Sequence, residues 1–160
     1  MGNGGNLNIR ANDIELTGIS ANTQSPSGLF TLVERRAEGD GGNISLDTRR
    51  LVVQNGAQIG LETTSMGNAG ELNIQADEIK LIGVSEIREV SEDEFARTPS
   101  TIFAVVVDTS GTGNGGDLIV NARTIELVGT SRDGQIVSGF IGSAQRNSSF
   151  LEPNFVLNKP

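Results

Sequence analysis

GNGGNLNIRANDIELTG, from Gly2 to Gly18, is written a second time as GNGGDLIVNARTIELVG from Gly113 to Gly129. Two more copies lie between them, GDGGNISLDTRRLVVQN from Gly39 to Asn55 and GNAGELNIQADEIKLIG from Gly67 to Gly83. A unit that returns at spacings of 37, 28 and 46 residues marks a repeat architecture, in which each copy buries its apolar face against the next.

Aligned on their glycines, the copies place Leu7, Ile44, Leu72 and Leu118 in one column and Ile9, Leu46, Ile74 and Val120 in the next. A spacing of two puts both columns on one face of a strand. Ala11, Thr48, Ala76 and Ala122 follow, then Ile14, Leu51, Ile79 and Ile125, then Leu16, Val53, Leu81 and Leu127. The step from 11 to 14 breaks the period of two, which predicts a corner near residues 12 and 13 and a second strand beyond it. A third apolar stretch precedes each new glycine cluster: Leu29–Val33, Ala57–Leu61 and Phe103–Val107, with Phe140 and Ile141 in the last copy. Counting back from the glycines puts Leu29, Thr31, Val33, Ala57, Ile59, Leu61, Phe103, Val105 and Val107 inward. Phe30, Leu32, Ala104, Val106 and Ile141 then point outward, as do Gln58, Gly60 and Glu62 in the second copy. Three short strands per repeat, joined by corners, describe a parallel β-helix, an all-β solenoid of about four coils starting near residues 2, 39, 67 and 113. The spacing varies through loop insertions at 19–27 and 84–101, and a tail occupies 145–160. In the second insertion Ile87, Val90 and Phe95 are spaced for a short helix ended by Pro99.

The outward residues fit the same alignment. Arg10 falls over Asp47, Arg49 over Asp77 over Arg123, Arg50 over Glu78 and Lys80 over Glu126, so every neighbour has opposite sign. Each such pair contributes roughly 0.2–1 kcal/mol and chiefly fixes register, whereas burying a large aliphatic side chain contributes about 1.5–3 kcal/mol. The glycine clusters read as corners needing left-handed backbone, with Asn3, Asp40, Asn68 and Asn114 stacked as a side-chain ladder.

Composition excludes several classes. The chain has no Cys, His, Trp or Tyr, so neither His- nor Cys-based catalysis nor a metal site of those ligands can be built. Twelve basic against twenty acidic residues give a net charge of −8, which repels nucleic acid and anionic lipid. No twenty-residue apolar span and no signal-peptide pattern occurs, so the sequence predicts no membrane insertion. The first repeat starts directly after Met1, as in a piece of a longer protein.

The repeated pattern G-N-G-G-[ND]-L-x-[IV]-x-A-x-x-I-E-L-x-G, followed in the second copy by LVVQNGAQI from Leu51 to Ile59, resembles the repeats of filamentous-haemagglutinin-type exoproteins, adhesin-like products of two-partner secretion. SGLFTL at Ser27–Leu32 and SGFIGS at Ser138–Ser143 belong to the same likeness, which covers about residues 2–144. It implies a right-handed parallel β-helix, secretion across the outer membrane with an outer-membrane partner, an extracellular or cell-surface location, and no catalysis.

Two sharper readings compete. GDGGNISLD, Gly39–Asp47, is similar to the calcium-binding nonapeptide of β-roll proteins, but the cluster returns every 28 to 46 residues rather than every nine and usually lacks the Asp. A carbohydrate-active β-helix, a polysaccharide lyase or hydrolase, would need two facing carboxylates, and here carboxylates face basic partners. The outward column Asn8, Ser45, Asn73, Ile119 offers no threonine array for ice. The expectation is therefore a single 1–160 solenoid unit acting as a non-catalytic structural or adhesive stalk. It names no catalytic, cofactor or metal residues. Its expected partners are further coils of the same polypeptide, cell-surface or matrix ligands and, end to end, other copies of the chain.

Overall fold

The computed structural model describes residues 2–21, 25–34, 37, 39–64, 67–86, 97–106, 115–129, 138–144 and 155–158. Each repeat begins with one long strand: β1 (Leu7–Thr17), β3 (Ile44–Gln54), β5 (Glu71–Ile82) and β9 (Asp117–Val128). Each then adds one shorter strand: β2 (Gly28–Val33), β4 (Gln58–Thr63), β8 (Thr101–Val106) and β10 (Gly139–Ala144). The long strands, with β11 (Phe155–Asn158), make a five-stranded parallel sheet in the order β1-β3-β5-β9-β11. The shorter ones make a four-stranded parallel sheet, β10-β8-β4-β2. A small antiparallel pair, β6 (Val84–Glu86) with β7 (Arg97–Pro99), stands on the insertion between β5 and β8.

This corrects the expected right-handed parallel β-helix with three short strands per coil. The described strands are two per repeat, gathered into two multi-stranded parallel sheets, and the expected corner at 12–13 does not divide the long strand. The pairing passes from Ala11↔Thr48 to Asp13↔Arg50, skipping one pair, and skips at the same place between β3 and β5 and between β5 and β9. Two successive outward residues, as at Arg49 and Arg50, shift the inward phase by one, and the small Ala or Thr before them leaves room for the chain to bend. Thr48 takes an alanine position by donating its hydroxyl to the carbonyls of Asn12 (3.0 Å) and Arg50 (3.1 Å).

All five sequence columns of the first sheet pair as aligned, Leu7↔Ile44↔Leu72↔Leu118 among them. Ile44, Leu46, Leu51, Leu72, Ile74 and Ile79 meet Ile59, Leu61 and Ile102 of the second sheet in one core. Parallel sheets need both faces supplied with apolar cover or paired polar groups, and the aliphatic columns supply the inner one.

The second sheet is registered differently from the glycine count. Leu29 pairs with Ile59 and Ile59 with Ile102, so the inward residues are Leu29, Thr31 and Val33, then Ile59 and Leu61, then Ile102 and Ala104. Phe103 and Val105 therefore point outward, and Ala104, expected outward, is fully buried. The glycine clusters also have another explanation. Gly42 is outside the left-handed region, and a Cβ on it would strike the Gly5 carbonyl oxygen. One on Gly67 would likewise strike the Gly39 carbonyl oxygen. Bare backbone is needed because successive repeats approach so closely. Within the clusters Gly70 (φ 94°) and Gly116 (φ 82°) do take the expected left-handed backbone, and the same conformation recurs at the end of the long strand, at Gly18 (φ 79°), Gly83 (φ 75°) and Gly129 (φ 105°).

Those last three glycines close the links from the long strands to the second sheet, the insertions 19–27 and 84–101 and the link 130–137. Ser27 N–H donates to the Gly18 carbonyl (3.0 Å), Ser100 N–H to Gly83 (3.2 Å) and Ser138 N–H to Gly129 (3.3 Å). Each link is thus clasped at its base before the chain enters the second sheet, and its length does not disturb the strands. Gly56, in the repeat without such a link, lies beneath its neighbours: a Cβ there would come 2.6 Å from Ser85 Cβ and 3.1 Å from Ile19 Cγ2. The expected helix over Ile87, Val90 and Phe95 and the tail residues 145–154 lie outside the described residues.

Candidate interaction face

The two sheets differ in the chemistry they present to solvent, although Leu127 and Val128 at the end of β9 are also exposed. On the first, outward charges pair across neighbouring strands: Arg10 with Asp47 (2.9 Å), Arg50 with Glu78 (3.3 Å), Arg123 with Asp77 (3.3 Å) and Lys80 with Glu126 (3.0 Å). Lys80 also reaches Glu78 (3.3 Å), and its hydrogen bonds to Glu126 and Glu78 raise its pKa. Arg49 departs from the alignment, lying 3.6 Å from Asp13 rather than pairing with Asp77. A polar groove of about 810 Å³ follows the bend of the long strands, lined by Arg10, Asp47, Arg49, Asp77 and Arg123 among others. Its carboxylates already answer guanidinium groups.

Side-chain ladders reinforce this sheet at its entrance. Asp40 N–H donates to Asn3 Oδ1 (3.1 Å) and Asn68 N–H to Asp40 Oδ1 (2.8 Å), as the Asn/Asp column predicts; Asn114 lies outside the described residues. A second ladder escaped the sequence: Asn43 N–H donates to Asn6 Oδ1 and Glu71 N–H to Asn43 Oδ1, both at 2.9 Å. Asp40 and Asp47, the aspartates of the calcium-like cluster, are engaged by Asn68 and Arg10 respectively. Among the described residues no three acidic groups converge.

The outer face of the second sheet is apolar. Register sets Phe30, Gly60, Phe103 and Ile141 in one column and Leu32, Glu62 and Val105 in the next. Phe30 and Ile141 are each 43% exposed and Leu32 is 51% exposed, while Phe103 and Val105 are half-buried. The rings of Phe30 and Phe103 meet across Gly60, with centroids 6.3 Å apart and planes tilted by 42°. A Cβ on Gly60 would overlap the Phe103 ring, so glycine in the middle strand is what lets the rings converge. Glu62 sits beside them, half-buried, with no ion-pair or hydrogen-bond partner among the described residues, and burial pushes its carboxyl above the usual glutamate value of 4.5. Gln58, at the entrance of the same face, donates from Nε2 to the Pro99 carbonyl (3.3 Å) and ties the β6–β7 insertion beside it.

The sequence did name Phe30, Leu32 and Ile141 as outward. It also placed Gly60 and Glu62 of the second repeat outward beside them, and the strand register agrees in setting Gly60 by Phe30 and Glu62 by Leu32. It missed Phe103 and Val105, because IFAVVV, Ile102–Val107, is apolar at every position and carries no alternation to read. Compared with family models, curated proteins and solved structures, the chain finds no match in any of the three.

Proposed function

We propose that this chain is a non-catalytic structural and adhesive segment of a large secreted or surface-displayed exoprotein, working outside the cell or at its surface. The observation that carries the reading is the division of labour between the sheets: one outer face closed by ion pairs and side-chain ladders, the other an exposed apolar surface. Contiguous exposed apolar surface of this kind is characteristic of interaction sites. Registered parallel strands give it a rigid backing, and the clasped insertions allow loops to vary without altering it. The likeness of the repeats to filamentous-haemagglutinin-type exoproteins points the same way. It supplies the expected partners: further repeats of one polypeptide, an outer-membrane secretion partner, and cell-surface or matrix ligands.

Beads coated with the chain, or with its Phe30→Ala/Phe103→Ala variant, test this on surfaces of immobilised matrix proteins and polysaccharides, with reducing ends of the polysaccharides assayed alongside. Adhesion predicts retention that falls in the variant, with no new reducing ends. New reducing ends generated by the chain would replace this proposal with a carbohydrate-active enzyme. Retention equal in both proteins would remove the apolar face from the account.

A further inference from the structure

We infer that the outer face of the second sheet docks an apolar peptide segment carrying one lysine or arginine, whose cation seats against Glu62. The inference rests on the adhesive reading for the use of this face and adds the chemistry of what it takes.

Every ion pair described above uses a first-sheet carboxylate, and none of those groups is left facing apolar neighbours. Glu62 is the departure. It lies in register between Leu32 and Val105, one step along from Phe30 and Phe103, and has no partner among the described residues. A carboxylate half-removed from water without a compensating contact is unfavourable, and burial has already raised its pKa. A cation arriving with its own apolar flanks would restore the missing pairing in a site drier than the open surface, where such a bond is stronger. The rings of Phe30 and Phe103, 6.3 Å apart, offer the same cation a π face.

The same charge decides against other occupants. Two copies of the chain packed face to face would bring two Glu62 carboxylates into one apolar interface, which is costly. An anionic membrane meets a chain of net charge −8. A polysaccharide needs many hydrogen-bonding groups, and among the described side chains accessible on this face the polar ones are Glu62 and Gln58, the latter already donating to the Pro99 carbonyl. A short peptide with one cation between apolar residues matches both parts.

NMR titration of the full chain with two probes tests this: the peptide Ac-Ser-Val-Lys-Leu-Ser-amide, and the same peptide with norleucine in place of lysine. The lysine peptide is expected to shift the resonances of Phe30, Leu32, Gly60, Glu62 and Val105 and to bind at least about tenfold more tightly than the norleucine peptide. Glu62→Gln, close to isosteric, should abolish that difference and leave only the weak apolar component. Phe30→Ala should weaken both peptides. Equal binding of the two peptides to the wild-type chain, a preference that survives Glu62→Gln, or shifts on the first sheet instead would each overturn the inference. So would absence of binding together with a Glu62 pKa below the ordinary value, since the carboxylate would then already be paired by another part of the chain. In each of these cases the bead assay still decides the adhesive reading, so the two can fail separately.

Discussion

Gly60→Ala and Gly42→Ala separate two uses of glycine in this chain. At Gly60 the obstacle to a Cβ is the Phe103 ring, including its distal carbons; at Gly42 it is the Gly5 carbonyl oxygen, part of the neighbouring backbone. The ring can swing outward because Phe103 lies on the solvent side of the sheet, whereas the carbonyl moves only with the repeat that carries it. Displacing the ring forfeits the Phe30–Phe103 contact, about 0.5–1.5 kcal/mol. Replacing a strand-interior glycine by alanine returns roughly 0.5–1 kcal/mol, so Gly60→Ala should lie within about 1 kcal/mol of wild type. Gly42→Ala gains the same entropy but forces a backbone shift costing typically about 1–3 kcal/mol, for a net loss of about 0–2.5 kcal/mol. Urea unfolding measures both. Fluorine NMR of a chain labelled with 4-fluorophenylalanine should show two of its six phenylalanine signals, those of Phe30 and Phe103, move in Gly60→Ala alone. If Gly60→Ala costs as much as Gly42→Ala, or leaves those two signals in place, the ring pair is not seated on Gly60 as described.

Two further expectations concern the core and the Glu62 carboxylate. Ile74 and Ile9 share a column, but Ile74 is fully buried and Ile9 only partly, so Ile74→Ala should cost about 2–5 kcal/mol and Ile9→Ala less than half as much; equal denaturation midpoints would contradict the placement of the core. For Glu62, a folded pKa raised above 4.5 means the folded chain holds the proton more tightly than the unfolded one. Stability at this site is therefore full below 4.5 and is lost as pH rises through the higher folded value. Glu62→Gln should match wild type in acid and exceed it at neutral pH; a less stable variant at neutral pH would show that the carboxylate is paired.

The first sheet was legible because its inward positions are aliphatic in every repeat and its outward positions carry alternating charge, two independent signals of one register. The phase slip between Ala11 and Ile14 was legible too, but its meaning was not: a skipped backbone pair within a continuous strand leaves the same sequence trace as a break between two strands. The second sheet was misread for a different reason. Its strands end at Val33, Thr63 and Val106, and the links onward to the glycine clusters differ in length, so counting back from the glycines loses register. Without polar alternation in Ile102–Val107 nothing in that segment corrects the count, and Phe103 was turned inward. β11 was overlooked as a strand because NFVLN, Asn154–Asn158, lacks a glycine cluster, although Phe155 and Leu157 continue the columns of Leu118 and Val120. Glu62 was legible as an outward residue but not as an unusual one; its importance comes from neighbours on two other strands.

The recognition face exists only if β2, β4 and β8 hold the described register, and a chain with no native cysteine allows that to be tested by cross-linking. Glu62 and Val105 are paired neighbours on adjacent strands, about 4.8 Å apart in such a sheet, and both face outward. Ala104, the next residue, is fully buried. A short bis-thiosulfonate reagent should therefore link the cysteines of Glu62→Cys/Val105→Cys within one chain, rapidly and under native conditions, while Glu62→Cys/Ala104→Cys stays unlinked until the chain is unfolded. Preferential linking of the second pair would place Phe103 and Val105 inside, dissolve the apolar face and contradict the function proposed for it.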